Sequence, residues 1–239
     1  MKHIFLATAA AIALGAPAAT AQTIGMAGIP SGFGVAGNVV ALGFSGSYSQ
    51  QLRGVAPNQT HWDAATSATF GFGNPVSGVG VEVGINLTSF RRFGQSGHLS
   101  VGVHRMFQAN DRGVFSAALR ADYLGAWGDI KTYNPAYSLI GSYATSVGSR
   151  LAMFSAGVGT GWGQNGSDRT TRGAVGFGIG LNGQWAASVG YVGQESVIGA
   201  VWQPPALNGA SVAFSIRNIE DSGNATFAVD IGRAFALMR

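Results

Sequence analysis

Residues 225–239 read Ala-Thr-Phe-Ala-Val-Asp-Ile-Gly-Arg-Ala-Phe-Ala-Leu-Met-Arg. Phe227, Val229, Ile231, Phe235 and Leu237 occupy the odd positions and are large and apolar. Ala228, Asp230, Gly232, Ala234 and Ala236 occupy the even positions and are small or polar. Successive side chains of a strand point to opposite faces, so this period of two describes a strand with one apolar and one wetter face. The run is long for a globular strand and suits one that crosses a bilayer obliquely. One residue breaks the pattern. Arg233 shares parity with the apolar set, and an arginine at the lipid midplane costs about 2–4 kcal/mol, less near an interface. It snorkels to headgroups, faces a neighbouring subunit, or sits on a bulge that shifts the register.

The same alternation recurs along the chain. Val40, Leu42, Phe44 and Tyr48 alternate with small or polar residues, as do Trp62–Phe72, Val79–Leu87, Leu99–Val103 and Phe115–Tyr123. Further strands are expected at 136–145, 151–162, 173–181, 185–192, 195–202 and 210–217. With the closing stretch, that gives about twelve, an even number, as bacterial single-chain barrels have. The fold class expected is all-β: a closed antiparallel transmembrane β-barrel over residues 38–239. The composition agrees. The chain of 239 residues is 46% hydrophobic and only 10% charged, with 38 glycines, against about a quarter charged in ordinary soluble domains. After the N-terminus no apolar run reaches the ~18 residues of a membrane helix. A soluble β-sandwich or solenoid also uses Gly-rich strands, but it explains neither the low charge nor the export signal.

Asp230-Ile231-Gly232-Arg233-Ala234-Phe235-Ala236-Leu237 resembles the C-terminal β-signal of bacterial outer-membrane, porin-like barrels, although this chain continues to Met238 and Arg239. The resemblance implies an outer-membrane location and recognition by the barrel-assembly machinery through Asp230, Gly232, Phe235 and Leu237. Residues 1–21 fit export: Lys2 and His3 precede the apolar stretch Ile4–Gly15, and Ala19-Thr20-Ala21 is an A-x-A cleavage site. Residues 22–37, rich in Gly, Ser and Pro, are expected to form a flexible periplasmic lead-in.

With the first strand running outward, the three connections of about ten residues or more (50–61, 124–135 and 163–172) all lie outside, matching long extracellular loops. Tyr48, Trp62, Phe90, Tyr123, Tyr137, Trp162 and Tyr191 then fall near outer strand ends, and Phe72, Phe107, Tyr143, Trp185, Trp202 and Phe235 near inner ends, as two interfacial girdles require.

The inward face is mostly Gly, Ala and Ser, with Asp63, Glu82, His98, His104, Arg120, Asp122, Arg217 and Asp230 among them. Small inner residues in a barrel wider than eight strands leave room for a pore. Mixed charge predicts weak ion selectivity and passage of small solutes. Cross-strand pairing of the same groups would instead close the lumen. The outer loops carry Arg53, Arg91, Arg92, Arg169 and Arg172; guanidinium matches phosphate geometry, so contacts to outer-membrane lipid and lipopolysaccharide headgroups are expected.

A hydrolase is the third reading. His98-Leu99-Ser100 resembles the His-x-Ser pair of outer-membrane phospholipases and lipid A deacylases, but Val101 stands where those families have Asn. No metal or other cofactor is expected. Cysteine is absent, and His98 and His104 lie ~20 Å apart along one strand. The formal charge of +4 is scattered, which argues against a nucleic-acid partner. A homo-oligomer stays open, because lipid-facing and subunit-facing residues look alike.

Overall fold

The computed structural model describes residues 26–49, 62–88, 93–110, 113–162, 169–220 and 225–237. Among these, twelve strands form a closed barrel: β1 (Val39–Ser49), β2 (Trp62–Gly73), β3 (Gly80–Leu87), β4 (Gly97–Asn110), β5 (Gly113–Trp127), β6 (Ala136–Val147), β7 (Arg150–Gly159), β8 (Arg172–Gly180), β9 (Trp185–Val192), β10 (Glu195–Trp202), β11 (Ser211–Arg217) and β12 (Thr226–Ala236). Each pairs antiparallel with its sequence neighbours. The seam is β1 on β12, in unbroken register from Val39↔Ala236 to Ser49↔Thr226. Leu237 extends it by donating to the Asn38 carbonyl at 2.8 Å. Closure leaves no edge strand whose backbone donors and acceptors lack a ladder partner.

The alternation sorts the two walls. Leu42, Phe44, Phe70, Val83, Ile85, Leu99, Val101, Leu119, Leu139, Val158, Val175, Val189, Ile198, Ile216 and Ile231 are large, apolar and exposed on the outside. Ser116, Ser138, Ser142, Ser155, Ser188 and Ser215 are buried on the inside. An apolar exterior around a polar interior inverts the order of a water-soluble domain and matches a lipid-facing barrel. Among the described residues no helix is long and apolar enough to cross a membrane.

Toward the end bearing the short turns, Phe72, Phe107, Phe115, Phe154, Trp185 and Phe235 are exposed on the outer wall. Phe107 meets Phe115 at 6.1 Å between ring centroids, and Trp185 stacks on Trp202 at 5.7 Å. Arg233 lies on this wall opposite Leu42. The pairing of β12 with β1 and β11 is continuous, so no bulge has turned the residue inward. Its guanidinium lies 4.7 Å from the Phe235 ring, reaching toward the rim in the way a snorkelling cation does. Arg105 repeats the arrangement on β4, 5.3 Å from the ring of Phe107.

Two expectations are corrected. Tyr123 does not continue the outward row of β5. The β4–β5 register jumps from Leu99↔Leu124 to Val101↔Ala121, so one strand carries an extra residue there. Tyr123 takes it up at φ +58°, the left-handed region that costs a bulky residue energy. Its ring turns inward onto His98, centroids 4.4 Å apart. Trp162, expected in the outer girdle, packs instead against an interior cluster that includes Met26, Ile29 and Val197.

The larger correction concerns the lead-in. Residues 26–37 do not hang below the barrel. They run inside it, crossing the inner wall as a belt before entering β1. Met26, Ala27, Ile29 and Ala36 are buried. The inward glycines make the space. A Cβ on Gly176 would lie 2.6 Å from the Ile29 side chain, and one on Gly199 2.6 Å from the Ala27 Cβ. Small inner residues thus house a peptide over much of the wall.

Candidate functional site

The belt has no sheet partners of its own, so its buried backbone groups need acceptors and donors from elsewhere. The wall supplies them one by one. Arg217 Nη2 donates to the Gly28 carbonyl at 2.7 Å, and Ser155 Oγ to the Pro30 carbonyl at 2.7 Å. Gly32 is held at both ends: its N–H donates to Ser142 Oγ at 2.8 Å and its carbonyl accepts from Ser116 Oγ at 2.7 Å. Arg120 Nη2 donates to the Phe33 carbonyl at 3.1 Å, and the Val35 N–H donates to Glu82 Oε2 at 2.8 Å. Gly37 closes the path on the Gly73 carbonyl at 3.0 Å. The serines sit at inward parity on three successive strands, β5, β6 and β7, which is why they meet consecutive stretches of one extended chain.

Of the inward residues expected from parity, the structure joins Glu82 to Arg120 at 3.3 Å. They stand on β3 and β5, and Glu82 reaches across Gly102 of β4; a Cβ there would lie 2.5 Å from Glu82 Oε1. His104 completes this group, packed beside Gly34 of the belt. Arg217 forms a second group with Glu195, at 3.9 Å, a residue that sequence reasoning did not single out. Asp122 and Asp230 lie close enough to feel Arg120 and Arg217 respectively. Asp63 opens β2 opposite Ser47; its side chain lies outside the described residues. Cross-strand pairing therefore occurs, as the closed-lumen alternative required, but it also fastens the belt.

Glu82 serves two partners at once, and a leucine serves neither. Glu82→Leu is expected to destabilise the folded barrel by about 1.5–3 kcal/mol, the usual range for a lost charged hydrogen bond with its partner left inside. Urea unfolding from detergent micelles measures it, and a cost within error of zero would mean that water replaces the carboxylate freely.

At the long-loop mouth the arrangement is aromatic. His98 and Tyr133 both contact the Tyr123 ring, Tyr133 at 5.6 Å. Arg169 lies over that ring at 5.2 Å and donates to the Asn134 carbonyl. It is therefore turned toward the mouth, and Arg172 opens β8 at inward parity, paired with Gly159. Arg53, Arg91 and Arg92 lie outside the described residues. Ser100 Oγ accepts from Asn86 Nδ2 at 3.2 Å, and no hydrogen bond joins His98 to Ser100 among the described residues. The pair lacks the nucleophile–base contact that acyl transfer needs.

Beside the seam lies a space of about 420 Å³, spanning β11, β12 and β1–β4. Ser45, Ser67, Asn86, Thr88, His98, Ser211 and Asp230 line it beside apolar residues that include Ala65 and Ala213. A second pocket of about 330 Å³ lies between Gly28–Pro30, Trp162, Glu195 and Arg217.

No family model and no curated protein matches the chain. Solved structures do. The chain is similar to the KdgM porin, with a TM-score of 0.55 at 6% identity over 82% of this chain and 99% of that one. It is likewise similar to the KdgM porin in complex with disordered oligogalacturonate, with a TM-score of 0.54 at 7% identity over the same shares. At such identities the likeness is one of architecture, and the twelve-stranded closed barrel of this chain has the fold of those outer-membrane porins.

Proposed function

We propose that this protein is a narrow outer-membrane channel through which small polar solutes diffuse passively, with weak selectivity for charge. The observation that carries it is the space of about 420 Å³ beside the seam strands, where Ser45, Ser67, Asn86, Thr88 and Ser211 offer hydroxyls and an amide among apolar neighbours. Such a lining can exchange hydrogen bonds with a passing solute without holding it tightly, which is what conduction demands. His98 and Asp230 line this space, and the neighbouring Arg217–Glu195 pair carries both signs, so no single sign dominates. Export through cleavage after Ala21, recognition of Asp230, Gly232, Phe235 and Leu237 by the assembly machinery, and lipopolysaccharide contacts from Arg53, Arg91 and Arg92 complete the reading, whereas Arg169 and Arg172 face the mouth and the lumen. The likeness to the KdgM porin in complex with disordered oligogalacturonate makes sugars the natural first solutes to try.

The belt itself favours a second reading, a non-conducting barrel sealed from within. Purified mature protein in a planar bilayer separates the two. The channel reading expects small, regular conductance steps that sugars added to one side reduce, neutral sugars and oligogalacturonate to comparable extents. A silent bilayer containing demonstrably folded protein would leave the sealed barrel.

A further inference from the structure

We infer that residues 26–37 set the size limit of this channel, acting as an internal strap whose release widens it. The inference rests on the channel reading above. Three observations carry it. First, the strap is held by wall side chains on its backbone and not by a strand ladder: Arg217 and Ser155 on the Gly28 and Pro30 carbonyls, Ser142 and Ser116 on Gly32. Breaking these contacts removes no sheet pairing, so the strap can leave without opening the barrel. Second, the wall behind it is bare. Ile29 fills what Gly176 and Gly190 leave open, and Met26 does the same over Gly178. With the strap gone, glycine faces the lumen, and a twelve-stranded barrel is wider than the eight-stranded size that side chains fill. Third, among the described residues the strap joins the wall through the chain only where residue 37 passes toward β1. Its other described end, Met26, is held by side-chain packing against the interior cluster.

A redox lock tests this. The chain has no cysteine, and Met26 Cγ lies 2.8 Å from where a Cβ on residue 178 would sit, a span suited to one sulfur–sulfur bond. Met26→Cys with Gly178→Cys is combined with Arg217→Ala, Ser142→Ala and Ser155→Ala, which remove holding contacts. Single-channel conductance and liposome swelling with neutral sugars of increasing size are read on the same preparation, oxidised and then reduced. Reduction is expected to raise conductance at least about twofold, by widening the bore, and to admit larger sugars; reoxidation reverses both. Because one folded sample is compared with itself, a folding defect does not mimic the result. If wild type conducts and the reduced variant behaves as the oxidised one, the strap inference is overturned and the channel reading stands. If wild type is silent and only the reduced variant conducts, the strap is supported and the open-channel reading falls. If neither conducts, both fall.

Discussion

Gly193→Ala is expected to cost the folded barrel more than about 4 kcal/mol, at the extreme of single-residue effects. Gly193 and Gln194 are the whole connection between β9 and β10. Gly193 stands at φ +68° and donates to the Gly173 carbonyl at 2.9 Å. A Cβ added there would overlap the Trp162 carbonyl oxygen, a backbone atom of a residue whose side chain is packed against the interior cluster. Gly148, between β6 and β7, separates this from ordinary turn strain. It stands at φ +63° with nothing within 4 Å of an added Cβ, so Gly148→Ala should cost only the left-handed penalty, about 1–2 kcal/mol. Urea titration of protein reconstituted in vesicles, followed by tryptophan emission, compares the two. Equal costs would mean that the β9–β10 turn has more room than its contact with Trp162 implies.

Leu119→Arg is the second large effect expected. Leu119 is 60% exposed, midway along β5, opposite Val103 and Leu139. In water an exposed leucine gains by becoming arginine. At the centre of a bilayer the same change costs about 2–4 kcal/mol, falling to about 0–1 near the interface. Val147, 51% exposed at the short-turn end of β6, supplies the rim comparison as Val147→Arg. The same vesicle unfolding assay should give a clear difference between the two sites. Identical costs would remove the lipid from around this wall.

Most of the architecture was legible because a barrel writes itself into side chains. All twelve strands lie where the alternation put them, and β9 and β10 have the expected bounds. Arg233 kept its outward parity, and the continuous pairing of β12 removes the bulge from its three explanations. The failures have one cause each. Tyr123 was misplaced because a one-residue bulge reverses parity, and alternation alone does not show where an extra residue is absorbed. The belt escaped because its contacts run through its backbone. Gly28, Pro30 and Gly32 present carbonyls and amides, which every sequence has, so Gly-, Ser- and Pro-rich composition reads as a loose linker. A signal was nonetheless present on the partner side. Ser116, Ser142 and Ser155 fall at inward positions of successive strands, where an empty pore has no special use for hydroxyls spaced as an extended chain requires. Glu195, at a strand start beside a two-residue turn, gave no sign of its partner Arg217.

The belt also imposes an order of events. Its hydrogen bonds join residues far apart in the chain: Val35 to Glu82 across 47 positions, Gly32 to Ser142 across 110, and Gly28 to Arg217 across 189. Contacts between such distant residues form late, since chain entropy is lost before they repay it. The Gly28 clamp cannot form until β11 has brought Arg217 to the inner wall. Residues synthesised before every strand are therefore among the last to be seated, and the nascent barrel passes through a stage in which its wall is nearly finished and its interior is still vacant.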